Sequence, residues 1–459
     1  MVNGVETQGA GSASFNIQHS TFTIHHSVFR LHWPLECKSL MSEFGWKYLT
    51  REDKATLLRG IRSGLVEGGP YHVEFHPADR CNIDCFFCST AAIRGTDELP
   101  QQRFEELIDE AAAAGTRSFR LSGGGEPLFH RRIKPVLRRI REARIPIENL
   151  TTNAVLLDEE TSELLTECCD QVTISLNTGD AASYASMMQT SERNFERVLK
   201  NVRTLAAIKK QRKSERPKIT LQFLIWRENY RSIPQMYDLA IESGANEIIF
   251  NGLSFLRPDQ EMTDGERDEM LALYEAVIRR DEFRHIGNIA SFEKSITPQI
   301  DAMIGRLAAA RQERGAVRRA IDFARRDEPL GQRIRHFLEM RTSAKESSAS
   351  QDIDDACIIG WYSLVVRSTG EVAPCCILQG RSLGNVMEQP LAEVWRGERF
   401  ETLRGELSRI IRERSEWSLA GDEQIVDSGC ALTGTCPMRS YYYRRDQRFS
   451  RGLAASTKG

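Results

Sequence analysis

Between residues 71 and 251 six short apolar, β-branched runs alternate with stretches whose apolar residues recur at helical spacing, and a chain patterned in this way has few ways to fold. Strands are expected at 71–76, 117–122, 147–152, 171–177, 218–226 and 247–251. Phe104, Leu107, Ile108, Ala111 and Ala112 mark one intervening helix, which stops at Gly115. Ile133, Val136, Leu137 and Ile140 mark the next, and Phe195, Val198, Leu199, Val202 and Leu205 a later one. Strands separated by helices pair in parallel, and six units are too few to close an eight-stranded barrel. The expected fold is α/β: an open partial (β/α)6 barrel with its chemistry at the carboxyl ends of the strands.

Two motifs fall at such ends. Directly after the first strand comes Cys81-Asn82-Ile83-Asp84-Cys85-Phe86-Phe87-Cys88, three thiols in eight residues. Electron-transfer iron–sulfur clusters are closed by four cysteines, and the next cysteine, Cys168, is too remote to share this loop. Three thiols can hold one face of an iron–sulfur cube and leave its fourth iron open to chemistry. The residues also allow a zinc site completed by His72 or His76. After the second strand, Ser122-Gly123-Gly124-Gly125-Glu126-Pro127 lets backbone approach a ligand and sets a carboxylate at the sheet edge.

Of eleven cysteines, eight fall in two groups, around Cys81 and from Cys357 onward, which reads as metal ligation in a reducing compartment rather than as disulfides. In the second group a glycine turn within a short hairpin can bring Cys357 and Cys375 to one metal, with Cys430 and Cys436 completing four thiolates. Iron–sulfur and zinc both accept that set, and Cys376 competes with Cys375. Cys37, Cys168 and Cys169 lie outside every motif.

The CxxxCxxC loop, with an aromatic residue before its last cysteine and a GGEP-like stretch after the following strand, resembles the radical S-adenosylmethionine (radical SAM) superfamily. The segment from Cys357 through Gly360-Trp361, Gly370, Pro374-Cys375-Cys376 and Gly384-Asn385 to Trp395 resembles the SPASM/twitch auxiliary-cluster module of that superfamily. The resemblance implies that Cys81, Cys85 and Cys88 hold a [4Fe–4S] cluster whose open iron is chelated by S-adenosylmethionine. It implies that Gly124, Gly125, Glu126 and Pro127 form the edge that takes the methionyl amino group, with Phe87 beside the adenine. Asn153, after the third strand, and Ser175 and Asn177, after the fourth, match positions that line ribose and carboxylate. Cys357, Cys375, Cys430 and Cys436 would hold one auxiliary [4Fe–4S] cluster, although the Cys-x5-Cys closing pair is wider than the twitch form has. The implied enzyme reductively cleaves S-adenosylmethionine to methionine and a 5′-deoxyadenosyl radical, which takes hydrogen from a substrate carbon in an oxidation or rearrangement. A flavodoxin or ferredoxin would supply the electron.

Domains follow from composition: a disordered, histidine-bearing leader over 1–40, with Met41 as a candidate start; a helical segment over 41–70; the core over 71–255. An arginine-rich helical insertion over 256–341, a linker over 342–356, the cysteine module over 357–440 and a tail over 441–459 complete the chain. With 62 basic against 64 acidic residues there is no bulk pull toward nucleic acid or membrane. No apolar run approaches the roughly eighteen residues of a membrane span, and a cytoplasmic location is expected. About thirty residues between Met41 and the first strand leave little room for a leader-peptide recognition domain, which favours a small sugar- or aminocyclitol-type metabolite over a peptide. The alternative class is a non-catalytic iron–sulfur or zinc sensor, which has no use for the Gly124–Pro127 edge.

Overall fold

Strand β1 (His72–Phe75) alternates polar His72 and Glu74 with Val73 and Phe75, and all four are buried, so both faces of this strand are covered. The computed structural model describes residues 46–88, 90–91, 94–252, 262–281, 286–290, 358–375 and 380–418, all within the unit Lys38–Gly459. The leader, the linker, most of the insertion, the tail, Cys37, Cys357, Cys376, Cys430 and Cys436 lie outside the described residues.

Strands β2 (Ser118–Leu121), β3 (Ile147–Thr152), β4 (Gln171–Ser175), β5 (Lys218–Ile225) and β6 (Glu247–Gly252) follow β1 in spatial as well as chain order, every pair parallel. Parallel crossovers are right-handed, so the helices between sequential neighbours gather on one face. They are α2 (Gln101–Ala114), α3 (Ile133–Ala143), α4 (Glu159–Cys168), α5 (Ala181–Met187), α6 (Glu192–Gln211) and α7 (Ile233–Ser243), preceded by α1 (Arg51–Ser63). The buried stripe of α2 is Phe104, Leu107, Ile108 and Ala111, and Phe104 meets Phe75 with ring centroids 4.8 Å apart. Each such large side chain contributes about 1.5–3 kcal/mol on burial. Period-2 alternation then sends the other residues to the opposite face, where they pair with one another. His72 Nδ1 is 2.9 Å from Ser118 Oγ, Thr173 donates to Asn149 Oδ1 at 3.0 Å, and Gln171 donates to Thr220 Oγ1 at 3.1 Å. The inner face of the sheet is therefore polar.

Two features depart from expectation. The segment read as a helical insertion does begin with a helix, α8 (Asp264–Asp281), but then supplies strand β7 (Ile286–Ala290), a seventh parallel strand beside β6. The cysteine module is also continuous with the core sheet. After α9 (Ile359–Tyr362), strand β8 (Ser363–Val366) pairs in parallel with β1, His72 opposite Ser363, and β9 (Glu371–Ala373) and β10 (Gly384–Asn385) add on antiparallel. The edge of β1 needs a partner for its backbone, and neither its own hydropathy nor that of β8 says which strand that will be. Helices α10 (Leu391–Arg396) and α11 (Glu398–Ser418) follow in the described part of the module. Trp361 Nε1 donates to Leu65 O at 3.0 Å and Trp395 Nε1 to Gly68 O at 3.1 Å, which ties the module to the segment after α1. Among the described residues no helix is long and apolar enough to cross a membrane.

Candidate active site

The cysteine loop is built by its neighbours. Its backbone donates from Asp84 N to Met188 O and from Phe86 N to Met187 O, each at 3.2 Å, so the carbonyls at the end of α5 carry the loop. On its other side the glycine turn is pressed flat against the residues that lead into it: Gly125 N donates to Ala78 O at 3.1 Å and Glu126 N to Arg80 O at 3.0 Å. A Cβ at Gly125 would stand 2.2 Å from Arg80 O and 2.4 Å from Asp79 O, and one at Gly124 2.9 Å from Asp79 Oδ1. The two motifs are thus in contact because these residues have no side chain. Thr90 joins them as well, donating to Gly124 O at 2.7 Å with its oxygen 3.3 Å from Cys88 Sγ.

All three thiols are half-buried. Burial, then the proximity of Cys81 and Cys88, pushes the Cys85 thiol up to about 12, and burial also raises Cys81. Neutral thiols gathered in this way give up their protons when a cationic centre binds them, so the donor set suits an iron–sulfur cluster. Of the two histidines weighed as a zinc ligand, His72 faces Ser118 through Nδ1 and His76 faces Glu74 Oε1 through Nε2 at 3.0 Å, and among the described residues neither joins the thiols in a group that could hold a single metal ion.

Glu126 is 3% exposed and braces two strand ends. Its Oε1 accepts from Thr152 Oγ1 at 2.6 Å and Leu128 N at 3.0 Å, and its Oε2 from Asn153 N at 2.7 Å. Burial raises its pKa and those three hydrogen bonds lower it, with burial the larger influence. Pro127 opens the short 3-10 turn Pro127–Phe129 and is buried. Asn153 sits beside the loop, its Nδ2 2.9 Å from Asn82 Oδ1 and 3.7 Å from Cys81 Sγ. Asn177, at φ +63°, is buried; its Nδ2 faces Met188 Sδ at 3.7 Å, and its Oδ1 has no hydrogen-bond partner among the described residues. Ser175 ends β4, half-buried. Phe87 is half-buried and meets Phe86 edge-on at 5.3 Å, while Phe86 lies 4.8 Å from Trp226. Every motif residue from β1 to β4 therefore converges on one carboxyl edge. Cys375 does not: it follows β9, which runs antiparallel to β8, and is carried back toward the amino ends of β1 and β8.

Sequence reasoning missed Tyr184, Met188 and Asn229. Tyr184 is fully buried, its hydroxyl has no hydrogen-bond partner among the described residues, and burial and the nearby Cys85, Glu126 and Cys81 raise its pKa. Cys85 Sγ lies 3.5 Å from Met188 Sδ. Asn229 donates to Asn177 O and Leu224 O, both at 2.8 Å, and so holds the ends of β4 and β5 together. The i, i+3, i+4 spacing of Tyr184, Met187 and Met188 puts them on one helix face, a signal present in the sequence but silent about what that face meets.

Family comparisons agree with this arrangement. A model of the radical SAM superfamily matches residues 75–240, and one described as an iron–sulfur cluster-binding domain, SPASM, matches 357–418. A GTP 3′,8-cyclase of Heliobacterium modesticaldum is 37% identical over 114 residues, 24% of this chain and 34% of the relative. A probable GTP 3′,8-cyclase of Thermoplasma volcanium is 28% identical over 167 residues, 36% of this chain and 48% of the relative. The chain thus spans less than half the length of these relatives. Among solved structures, Streptococcus suis SuiB superposes with a TM-score of 0.50 at 17% identity, covering 76% of this chain and 71% of that one, and shares the fold. Residues 75–240 are thus a radical SAM domain, and a SPASM domain, residues 357–418, lies C-terminal to it.

Proposed function

We propose that Cys81, Cys85 and Cys88 hold the cluster at which S-adenosylmethionine is cleaved, and that the polar inner face of the sheet binds the substrate. When bound, cluster and S-adenosylmethionine supply a one-electron reduction of the sulfonium, yielding methionine and a 5′-deoxyadenosyl radical that takes hydrogen from a substrate carbon. The protein's part is to hold the three sulfurs, present the Gly124–Gly125 backbone and the Asn177 and Tyr184 side chains beside them, and keep water out. The observation that carries this reading is the direct contact of Gly125 in the glycine turn with Asp79 and Arg80, immediately before Cys81. A reductant of the flavodoxin or ferredoxin class supplies the electron.

The substrate is a small polar metabolite of sugar or aminocyclitol type. Glu74, Arg120, Asn149, Thr173 and Gln222 line the inner face, a set that matches hydroxyl and amino groups better than apolar side chains. Cys357, Cys375, Cys430 and Cys436 hold an auxiliary cluster that receives an electron from the product radical. SuiB has also been solved bound to its precursor peptide SuiA, so a peptide is the competing substrate. The test is anaerobic reconstitution followed by 5′-deoxyadenosine measurement with dithionite, alone and with panels of aminocyclitols and sugars, short peptides, or GTP. Stimulation by the first panel is expected. Stimulation by peptides or GTP alone would overturn the substrate assignment, and absence of 5′-deoxyadenosine under every condition would overturn the site.

A further inference from the structure

Asn153 is buried to 5% exposure at the end of β3, and each of its polar groups has an assigned place. Its backbone N–H donates to Glu126 Oε2 at 2.7 Å, and its Oδ1 accepts from Val155 N at 3.0 Å. That second bond fixes which way the amide faces, because only the oxygen can accept. The NH2 group then points at the cysteine loop, with one hydrogen for Asn82 Oδ1 at 2.9 Å and the other for Cys81 Sγ at 3.7 Å.

The other two sulfurs are served differently. Thr90 has one hydroxyl hydrogen, and the 2.7 Å bond to Gly124 O takes it, so Thr90 has none left for Cys88 once that thiol is deprotonated. The Met188 thioether lies against Cys85 Sγ and has no hydrogen to donate. Among the described residues, Asn153 is the side-chain N–H donor aimed at a loop sulfur.

We propose that Asn153 sets the reduction potential of the cluster by donating a hydrogen bond to the Cys81 thiolate. The inference rests on the reading that Cys81 is a cluster ligand. A hydrogen bond to a ligand sulfur stabilises the more negative, reduced state and raises the potential. Asn153 acts through Cys81 and is a positioning residue.

The experiment is an EPR-monitored redox titration of the anaerobically reconstituted full chain, without substrate, for wild type, Asn153→Leu, Asn153→Asp and Thr90→Val. Asn153→Asp keeps the acceptor for Val155 N while losing both donors, and Asn153→Leu loses the donors without adding a charge, so a fall common to the two separates the bond to sulfur from the turn and from charge. Both Asn153 variants are expected to hold about tenfold less reduced cluster at a fixed solution potential, equivalent to a fall of about 59 mV for one electron. Thr90→Val is expected to titrate with wild type. Asn153 variants that carry the cluster and titrate with wild type would overturn the proposal. Loss of the cluster from both would overturn it too, since it assigns the amide to tuning and not to assembly. A wild-type protein that binds no iron would instead refute the assignment of Cys81, Cys85 and Cys88, an outcome visible before any variant is compared.

Discussion

Glu126 receives the Thr152 hydroxyl at 2.6 Å across the gap between the ends of β2 and β3. Through that contact and the bond from Asn153 N, a side chain read from sequence as a ligand for S-adenosylmethionine also closes the seam between two strands. Glu126→Ala leaves three donors facing a buried space. The expected loss is about 3 kcal/mol or more in urea unfolding of the iron-free protein, since each of the three unsatisfied buried groups costs about 1–3 kcal/mol. An unchanged midpoint would show that water replaces the carboxylate without cost.

Gly125→Ala should be far worse than its size suggests. The new methyl group meets main chain at 2.2 and 2.4 Å, which no rotamer change relieves. Overpacking on this scale costs about 1–3 kcal/mol or more, and it pushes the glycine turn off the cysteine loop, so iron incorporation should fall with stability. Gly265→Ala is the control: nothing lies within 4 Å in helix α8, and a gain of about 0.5–1 kcal/mol is expected. Comparable melting temperatures for the two variants would refute the contact argument.

Replacing Cys81, Cys85 and Cys88 together with Ala should abolish 5′-deoxyadenosine formation while leaving about four of about eight irons, those of the auxiliary cluster. Iron and zinc analysis of the purified variant checks this. Stoichiometric zinc with no iron would assign the distal site to a structural metal.

Stability should vary with pH through two buried groups at the amino ends of β1 and β3. Burial pushes Glu148 up to about 8 from 4.5, against the pull of Arg120 and Lys47. Its oxygens have no hydrogen bond among the described residues, and His72 Nε2 stands off at 3.6 Å. A raised carboxyl contributes stability below about 4.5 that is lost as pH rises to about 8. Burial holds His72 down at about 4 from 6.5, so its contribution is present above 6.5 and lost as pH falls toward 4. Between about 4.5 and 6.5 the two oppose each other; from about 6.5 to 8 Glu148 acts alone and stability should fall, by at most about 1.4 kcal/mol per unit. Glu148→Gln should flatten that decline in urea midpoints measured from pH 6.5 to 8.5. A decline of the same slope in the variant would locate the effect elsewhere.

Arg404 is 1% exposed and lies over the rings of Trp395 and Phe400 at 4.7 and 5.2 Å. It donates to Gly360 O at 2.8 Å and Trp395 O at 2.7 Å, and burial draws its pKa down to about 10. Arg404→Lys cannot span both carbonyls while stacking. A loss of about 2–4 kcal/mol is expected for it as for Arg404→Met, because both strand buried carbonyls. Full rescue by Lys in thermal unfolding would show that charge alone matters.

Local pattern carried most of the core. The alternation from β1 to β6, the stripe on α2 and the placement of the cysteine and glycine motifs at two neighbouring strand ends are properties of short segments, since side-chain period follows from backbone geometry. Contacts between segments were a different matter. Nothing in Tyr184 or Met188 announces that their helix carries the cysteine loop, and nothing in Ser363 names His72 as its partner. Strand pairing is decided by which exposed edge remains after the core has collapsed, and the aim of an amide such as Asn153 by which donor satisfies its oxygen. Those choices are made between residues far apart in the chain, and only the folded structure brings their alternatives into competition.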